Sequence, residues 1–271
     1  MHSPLFDACL GLYTASLAAY IGFLYGEKRP MGKIAPMLLG AAIVVHYLAL
    51  MERSRWMHSV PYNDLYGSMS LFAWLVAVTY FVLEMWYRQP SVGAVVLPFL
   101  LVWEIALAIA APATPPPISP GKGAVLAFHI TLGILGYAAF ALSFILSLIF
   151  ILQSRMLRAR RPGRAFWRFP PLDVLARMSR GSIWVGLAAC SASLVFGFIW
   201  DRRVRGSFSL TDPKVIFTFA ILVLYGMVLW LSGRAGWRGP RVARFCALCF
   251  LLVLFSYTLV NLYLTGFHRY F

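Results

Sequence analysis

Eight apolar runs, each about 20 residues long, set the terms on which this chain can fold. They lie approximately at Leu5–Tyr25, Ile34–Met51, Met69–Trp86, Ala94–Ala111, Ala124–Leu152, Gly181–Trp200, Val215–Leu231 and Phe245–Phe267. A run of that length with few charges crosses hydrocarbon as a helix, because the backbone polar groups must be satisfied without water. Composition agrees: the 271 residues are 61% hydrophobic and 12% charged, too apolar for a soluble core of this size. The reading is an all-α integral membrane protein, one membrane domain over residues 1–271 with eight transmembrane helices. No basic segment precedes the first run and no small-residue cleavage site stands out after it, so it reads as a span rather than a removed signal peptide. The fifth run is long enough to tilt or to project beyond the bilayer.

Orientation follows from positive charge, because short loops rich in Lys and Arg stay in the cytoplasm. The stretch 153–180 carries eight arginines against one acid, Asp173, and reads as a basic cytoplasmic loop. Alternation then places sixteen of the 24 Lys and Arg residues in cytoplasmic connections, the others being Lys28, Arg29, Lys33, Arg88, Arg234, Arg238, Arg241 and Arg244. Both termini therefore face the outer, periplasmic side. A net charge of +15 would point to nucleic acid in a soluble protein, but here the arginines sit between apolar runs. They act as topology signals and headgroup contacts, with membrane lipid as the partner and no nucleic acid.

The most polar interruption is Ile199–Lys214, IWDRRVRGSFSLTDPK, on the outer side. All five histidines also fall on or toward that side: His2, His46, His58, His129 opening span five and His268 closing span eight. Chance segregation of five residues is the plain alternative. Imidazoles gathered beside an arginine cluster suit something that takes nitrogen ligands and carries negative charge. Haem meets both conditions, since its iron takes axial imidazole and its propionates pair with guanidinium groups. His129 and His268 would clamp the iron, with Arg202, Arg203 and Arg205 on the propionates. Zinc is the rival, but no His-x-x-x-His or Glu-x-x-His spacing occurs.

Four blocks carry a resemblance. They are MHSVPYNDLYGS (Met57–Ser68), FHITLGILGYA (Phe128–Ala138), RGSFSLTDPK (Arg205–Lys214) and the stretch from Gly236 to His268, with its Gly-Trp-Arg-Gly start, Val-Asn-Leu and Gly-Phe-His close. Their order and motifs resemble the CcsA/HemX branch of the cytochrome c assembly proteins, over most of the chain after residue 45. The third block lines up with the tryptophan-rich outer loop of that family, the WWD domain, here at 200–214.

The resemblance implies a multi-pass protein of the bacterial inner membrane. It would hold b-type haem transiently between His129 and His268 at the outer face, for delivery to apocytochrome c or an assembly partner. His46 would be the counterpart of an embedded histidine, and His58 the outer-loop histidine. The loop departs from the pattern: Arg205, Ser209 and Thr211 stand where the family has tryptophans, and Val215 replaces its glutamate. Gly206, Asp212, Pro213 and Lys214 keep it, and Trp200 supplies one aromatic face for a porphyrin, or else is an interfacial anchor. A second embedded histidine is missing from span seven, where Trp230 and Leu231 stand. The degenerate loop argues against independent haem-lyase catalysis. A HemX-type accessory, regulatory or scaffold subunit that need not bind haem is therefore the second reading, and a transporter of another substrate a distant third.

The remaining polar residues have plainer readings. Asp7 and Glu104, toward the outer ends of spans one and four, are functional candidates or rim acids with hydrogen bonds. Glu84 sits near the inner boundary, where headgroups would solvate it. Cys246 and Cys249 form Cys-x-x-Cys, more readily small buried thiols than a redox pair, and no disulfide framework is visible. Phe166–Arg180 mixes aromatics and arginines as a stretch lying along the inner membrane surface would, and Pro112–Pro120 is a stiff outer connection.

Overall fold

The computed structural model of the protein describes residues 3–26, 30–58, 60, 64–110, 123–160, 167–206, 212–234 and 239–257. Among these the chain is all-helical: α1 (Pro4–Gly26), α2 (Met31–Met57), α3 (Leu65–Tyr87), a 3₁₀ turn at Pro90–Val92, α4 (Gly93–Ala110), α5 (Gly123–Arg158), α6 (Leu172–Arg205), α7 (Pro213–Ser232) and α8 (Pro240–Phe255). Helices α1 to α7 are long and apolar enough to cross a membrane, which makes this a multi-pass membrane protein. Helix α8 has 16 described residues, and the eighth expected span from residue 258 onward lies outside the described residues. So do His2, Pro112–Pro120, Ser209, Thr211 and His268, while Arg205 is described by its backbone only.

Helix ends follow local chemistry. Asp64 caps α3, its carboxylate accepting from Gly67 N at 2.9 Å. Asp212 caps α7 by accepting from Lys214 N at 2.8 Å, with Pro213 supplying the preset φ of a first helical residue. Asp64 is also held by Arg53 of α2 at 2.5 Å, and the same guanidinium lies 4.3 Å from the centroid of the Tyr66 ring. This little-exposed knot ties the end of α2 to the start of α3. Arg53→Ala should therefore lower unfolding stability in detergent by about 1.5–3 kcal/mol, whereas Asp64→Asn, which keeps the cap, should cost less than half of that. Equal stability of Arg53→Ala and wild type would show that the knot contributes nothing.

Helix α5 is the post of the bundle. Its 36 residues run about 54 Å, longer than the hydrocarbon is thick. One apolar cluster joins it to α1–α4 and the start of α6, and a second joins it to α6, α7 and α8. Small residues let α6 approach it closely. A Cβ on Gly136 would overlap the Cys190 sulfur, and one on Gly186 would lie 2.5 Å from the Phe140 ring. Large apolar side chains such as Met37, Trp86, Val102 and Ile109 stay on the outside of the bundle, as surfaces facing acyl chains do.

Three expectations need correction. The basic stretch 153–180 is helical at both ends: α5 continues to Arg158 and α6 begins at Leu172. Phe166–Arg180 therefore does not lie along a surface over its second half. Leu175 and Met178 are fully buried in the core, and Gly181 packs against Tyr87 and Leu83 rather than breaking the helix. At the other end of α6, Trp200–Arg205 are its last turns, so the outer loop of 200–214 shrinks to a connection between Gly206 and Asp212. Nor is Glu84 solvated. It is 1% exposed, and the Tyr20 hydroxyl donates to its carboxylate. Helical phase explains this, because Ala73, Val76, Ala77, Tyr80 and Glu84 recur every three or four residues and form the inward stripe of α3.

Candidate functional site

Antiparallel alternation brings the start of α5, the end of α6 and the start of α7 to one end of the bundle. There His129, in the second turn of α5, turns onto α6. Its Nδ1 lies 2.8 Å from the Ser193 carbonyl oxygen and 3.2 Å from the Ser193 hydroxyl. That hydroxyl donates in turn to the His129 carbonyl at 2.7 Å. A carbonyl can only accept, so Nδ1 carries the proton and the lone pair of the neutral ring sits on Nε2. This is the tautomer in which imidazole ligates metals.

The close fit depends on Gly197. A Cβ there would stand 2.8 Å from both Cε1 and Nδ1 of His129. Next to Gly197 in the chain, Phe196 stacks on Phe128 with ring centroids 5.5 Å apart. Trp200 follows, half-buried, and then Arg202 and Arg203, both exposed on the last turns of α6. Cationic side chains at a helix C-terminus suit the dipole. Gly206 ends the helix in the left-handed region at φ 73°, its N–H bonded to the Arg202 carbonyl. Thus His129, Trp200, Arg202 and Arg203 lie on two helices packed against each other.

The retained Asp-Pro-Lys has work of its own in the fold. While Asp212 caps α7, Lys214 is drawn inward and its Nζ donates to the Ser256 carbonyl at 2.9 Å. Its ammonium lies 5.4 Å from the centroid of Tyr137 and 5.9 Å from that of Tyr257. Tyr257 in turn meets Ser68 of α3 at 3.4 Å. The motif therefore pegs α7 to α5 and to the end of α8, a role that asks nothing of a ligand.

His46 stands apart from this group. It is fully buried in α2, with Nδ1 3.1 Å from the Tyr13 hydroxyl, Nε2 3.0 Å from the Ser70 hydroxyl and the Glu104 carboxylate 3.7 Å away. Both ring nitrogens are engaged inside the α1–α4 half. Glu104 is itself 1% exposed, on the inward stripe of Leu97, Leu100 and Leu101. His58 is exposed and closes α2 in the left-handed conformation, φ 48°, while Asp7 is exposed on the first turn of α1. All four cysteines are free and buried; Cys246 lies 3.0 Å from the Ser143 hydroxyl, as a small core thiol does. No cluster of three or more His, Cys, Asp or Glu suited to a metal occurs among the described residues.

Ser193 and Gly197 are the site residues that the linear reading passed over. A signal for them exists in the spacing Gly186, Cys190, Ser193, Gly197, steps of four, three and four along one face of α6. Small residues so spaced mark a face on which a neighbouring helix approaches closely.

Comparison with known proteins carries the rest. The chain matches the family model described as Cytochrome C assembly protein over residues 62–268. Protein HemX of Brevibacillus brevis is 25% identical over 256 residues, covering 93% of this chain and 93% of that protein. A cytochrome c biogenesis protein CcsA of Prochlorococcus marinus subsp. pastoris is 27% identical over 252 residues, covering 83% of this chain and 79% of that one. Protein HemX of Bacillus subtilis is 30% identical over 137 residues, 51% of this chain and 50% of that protein. The matched region begins just before α3 and takes in His129, the shortened α6–α7 connection and the pegging lysine, so this helical membrane protein belongs to the cytochrome c assembly protein family.

Proposed function

We propose that the protein handles haem in c-type cytochrome biogenesis. It receives haem as cargo, holds it at the outer face of the inner membrane between His129 and His268, and presents it to apocytochrome c or to an assembly partner. The observation that carries this reading is the Nδ1 contact of His129 with the Ser193 carbonyl at 2.8 Å, which keeps Nε2 in its ligating form. Arg202, Arg203 and Arg205 supply guanidinium groups for the propionates, and Trp200 an aromatic face. In this scheme the iron is held by His129 and His268, while both nitrogens of His46 are engaged within the α1–α4 half. His46 and His58 remain in the same half of the bundle. The orientation rests on charge, with sixteen of 24 Lys and Arg residues in the connections at the opposite end or on the helix turns beside them, the end this scheme takes as cytoplasmic.

The test is a visible spectrum of protein purified from haem-replete cells. Wild type is expected to show a Soret band, and a His129→Ala, His268→Ala double variant to lose it. Single variants should retain part of it and regain more with added imidazole. An unchanged band in the double variant would refute the assignment.

The second reading is a HemX-type accessory, regulatory or scaffold subunit that need not hold haem. The loop favours it, because Arg205, Ser209 and Thr211 stand at the tryptophan positions. So does the end-to-end match with a protein named HemX, 93% of each chain. A colourless wild-type protein from the same cells would decide for it.

A further inference from the structure

The opposite end of the bundle holds a cleft of about 590 Å³ between α5, α6, α7 and α8. Its walls are mostly apolar, formed by Phe150, Leu175, Ile183 and Val228 among others, and its lining includes two arginines, Arg177 and Arg180. These differ in circumstance. Arg177 is neutralised by Asp173 at 2.7 Å, one helical turn before it. Arg180 is half-buried, and among the described residues no acceptor pairs with it.

No described acid at this end is left to pair with Arg180. The described acids here are Glu84, held by the Tyr20 hydroxyl, and Asp173, held by Arg177. The neighbouring connections 161–166 and 235–238 contain arginines and no acid. A guanidinium lining an apolar cleft, with no acceptor among the described residues, suits an anion that brings hydrocarbon with it. The cleft volume also lies within the range of about 300–1,000 Å³ that small-molecule sites occupy.

We propose that this cleft is a binding site for an anionic phospholipid, with its phosphate on Arg180 and an acyl chain lying between α5 and α7. Ile183 and Val228 extend the apolar wall roughly a turn deeper than the guanidinium, a depth a free phosphate would leave bare. Ser147 and Ser179, on the same wall, offer hydroxyls where ester carbonyls can accept. The bound lipid completes the joint between α6 and the α7–α8 pair at the end where chain connections are most basic. This site is separate from the haem reading and stands or falls without it.

Native mass spectrometry of the full chain tests it, after release from nanodiscs of phosphatidylethanolamine doped with phosphatidylglycerol. Wild type should retain one phosphatidylglycerol in preference to phosphatidylethanolamine. Arg180→Gln should cut that bound fraction about tenfold, the loss of one charge-assisted pair, while Arg158→Gln, on the exposed last turn of α5, should leave it unchanged. Ala176→Phe fills the cleft but keeps the guanidinium, and should also expel the lipid; it decides the matter if Arg180→Gln does not fold. Equal retention of the two lipids, or retention within twofold of wild type in Arg180→Gln or Ala176→Phe, overturns the proposal. Displacement by millimolar inorganic phosphate with no acyl-chain requirement would make this a phosphate site. An adduct of porphyrin mass lost in Arg180→Gln would give the cleft to a tetrapyrrole. Either result replaces the lipid.

Discussion

Gly197→Leu is expected to strip His129 of its seat on α6 and to reduce retained haem by roughly 10-fold to 100-fold, the usual consequence of losing the group that orients a metal-bound imidazole. Even a single Cβ at this position falls 2.8 Å from the ring atoms Cε1 and Nδ1, too close for the ring to remain. A leucine drives it off the Ser193 carbonyl. Ser193→Ala should be far milder, because the backbone carbonyl at 2.8 Å survives and only the hydroxyl at 3.2 Å is lost. Gly226→Leu is the matched control, since nothing lies within 4 Å of a Cβ there. Soret absorbance per mole of purified protein reads all three. Full haem retention in Gly197→Leu would mean that the Nδ1 anchor does not prepare a ligand.

The largest loss of stability is expected from Phe140→Ala. This ring is fully buried where α5, α6 and α7 meet, stacked on Tyr225 with centroids 3.9 Å apart and planes at 11°, and seated over Gly186. Within a membrane, helix association draws on packing rather than on removal of apolar surface from water. The transfer part of the penalty therefore shrinks while the cavity part remains, so the lower end of the usual range applies, about 3 kcal/mol. Phe140→Leu should cost about 1.5 kcal/mol, because most of the volume is kept. Phe255→Ala, at a ring 38% exposed, should stay within about 1 kcal/mol of wild type. Unfolding in mixed micelles ranks the three, and equal midpoints for Phe140→Ala and Phe255→Ala would show that the α5 contact is not the stabilising one.

Much of the architecture was legible because hydrocarbon imposes a simple length rule. Each of the first seven apolar runs lies inside one observed helix to within a residue. The rule reports where a chain can cross the membrane and is silent on where a helix stops. Hence α6 begins at Leu172, nine residues before the expected Gly181: Leu175 and Met178 are buried by neighbours, and Arg177 between them is exposed. Glu84 was misread for the same reason. Its depth was visible, but the Tyr20 hydroxyl that receives it comes from a helix some 60 residues away in the chain.

The candidate site was legible in part. Residue type singled out His129, Arg202, Arg203 and Trp200, while the family pattern drew attention to Asp212 and Lys214. The structure gives those last two jobs as a helix cap and as a half-buried peg against Tyr137. Retained motif residues of this sort can preserve a helix start as readily as a ligand contact.

What the sequence by itself determined is where seven of the apolar spans lie, the helical class and the end of the bundle at which positive charge gathers, because each follows from the interaction of single segments with lipid and water. Only the tertiary structure decided that α5 is the central post, that Ser193 and Gly197 seat the His129 ring, and that Arg180 lacks an acceptor among the described residues. Those outcomes depend on which two helix faces meet, and at what register. That choice is made by close packing between distant segments, which no local pattern contains.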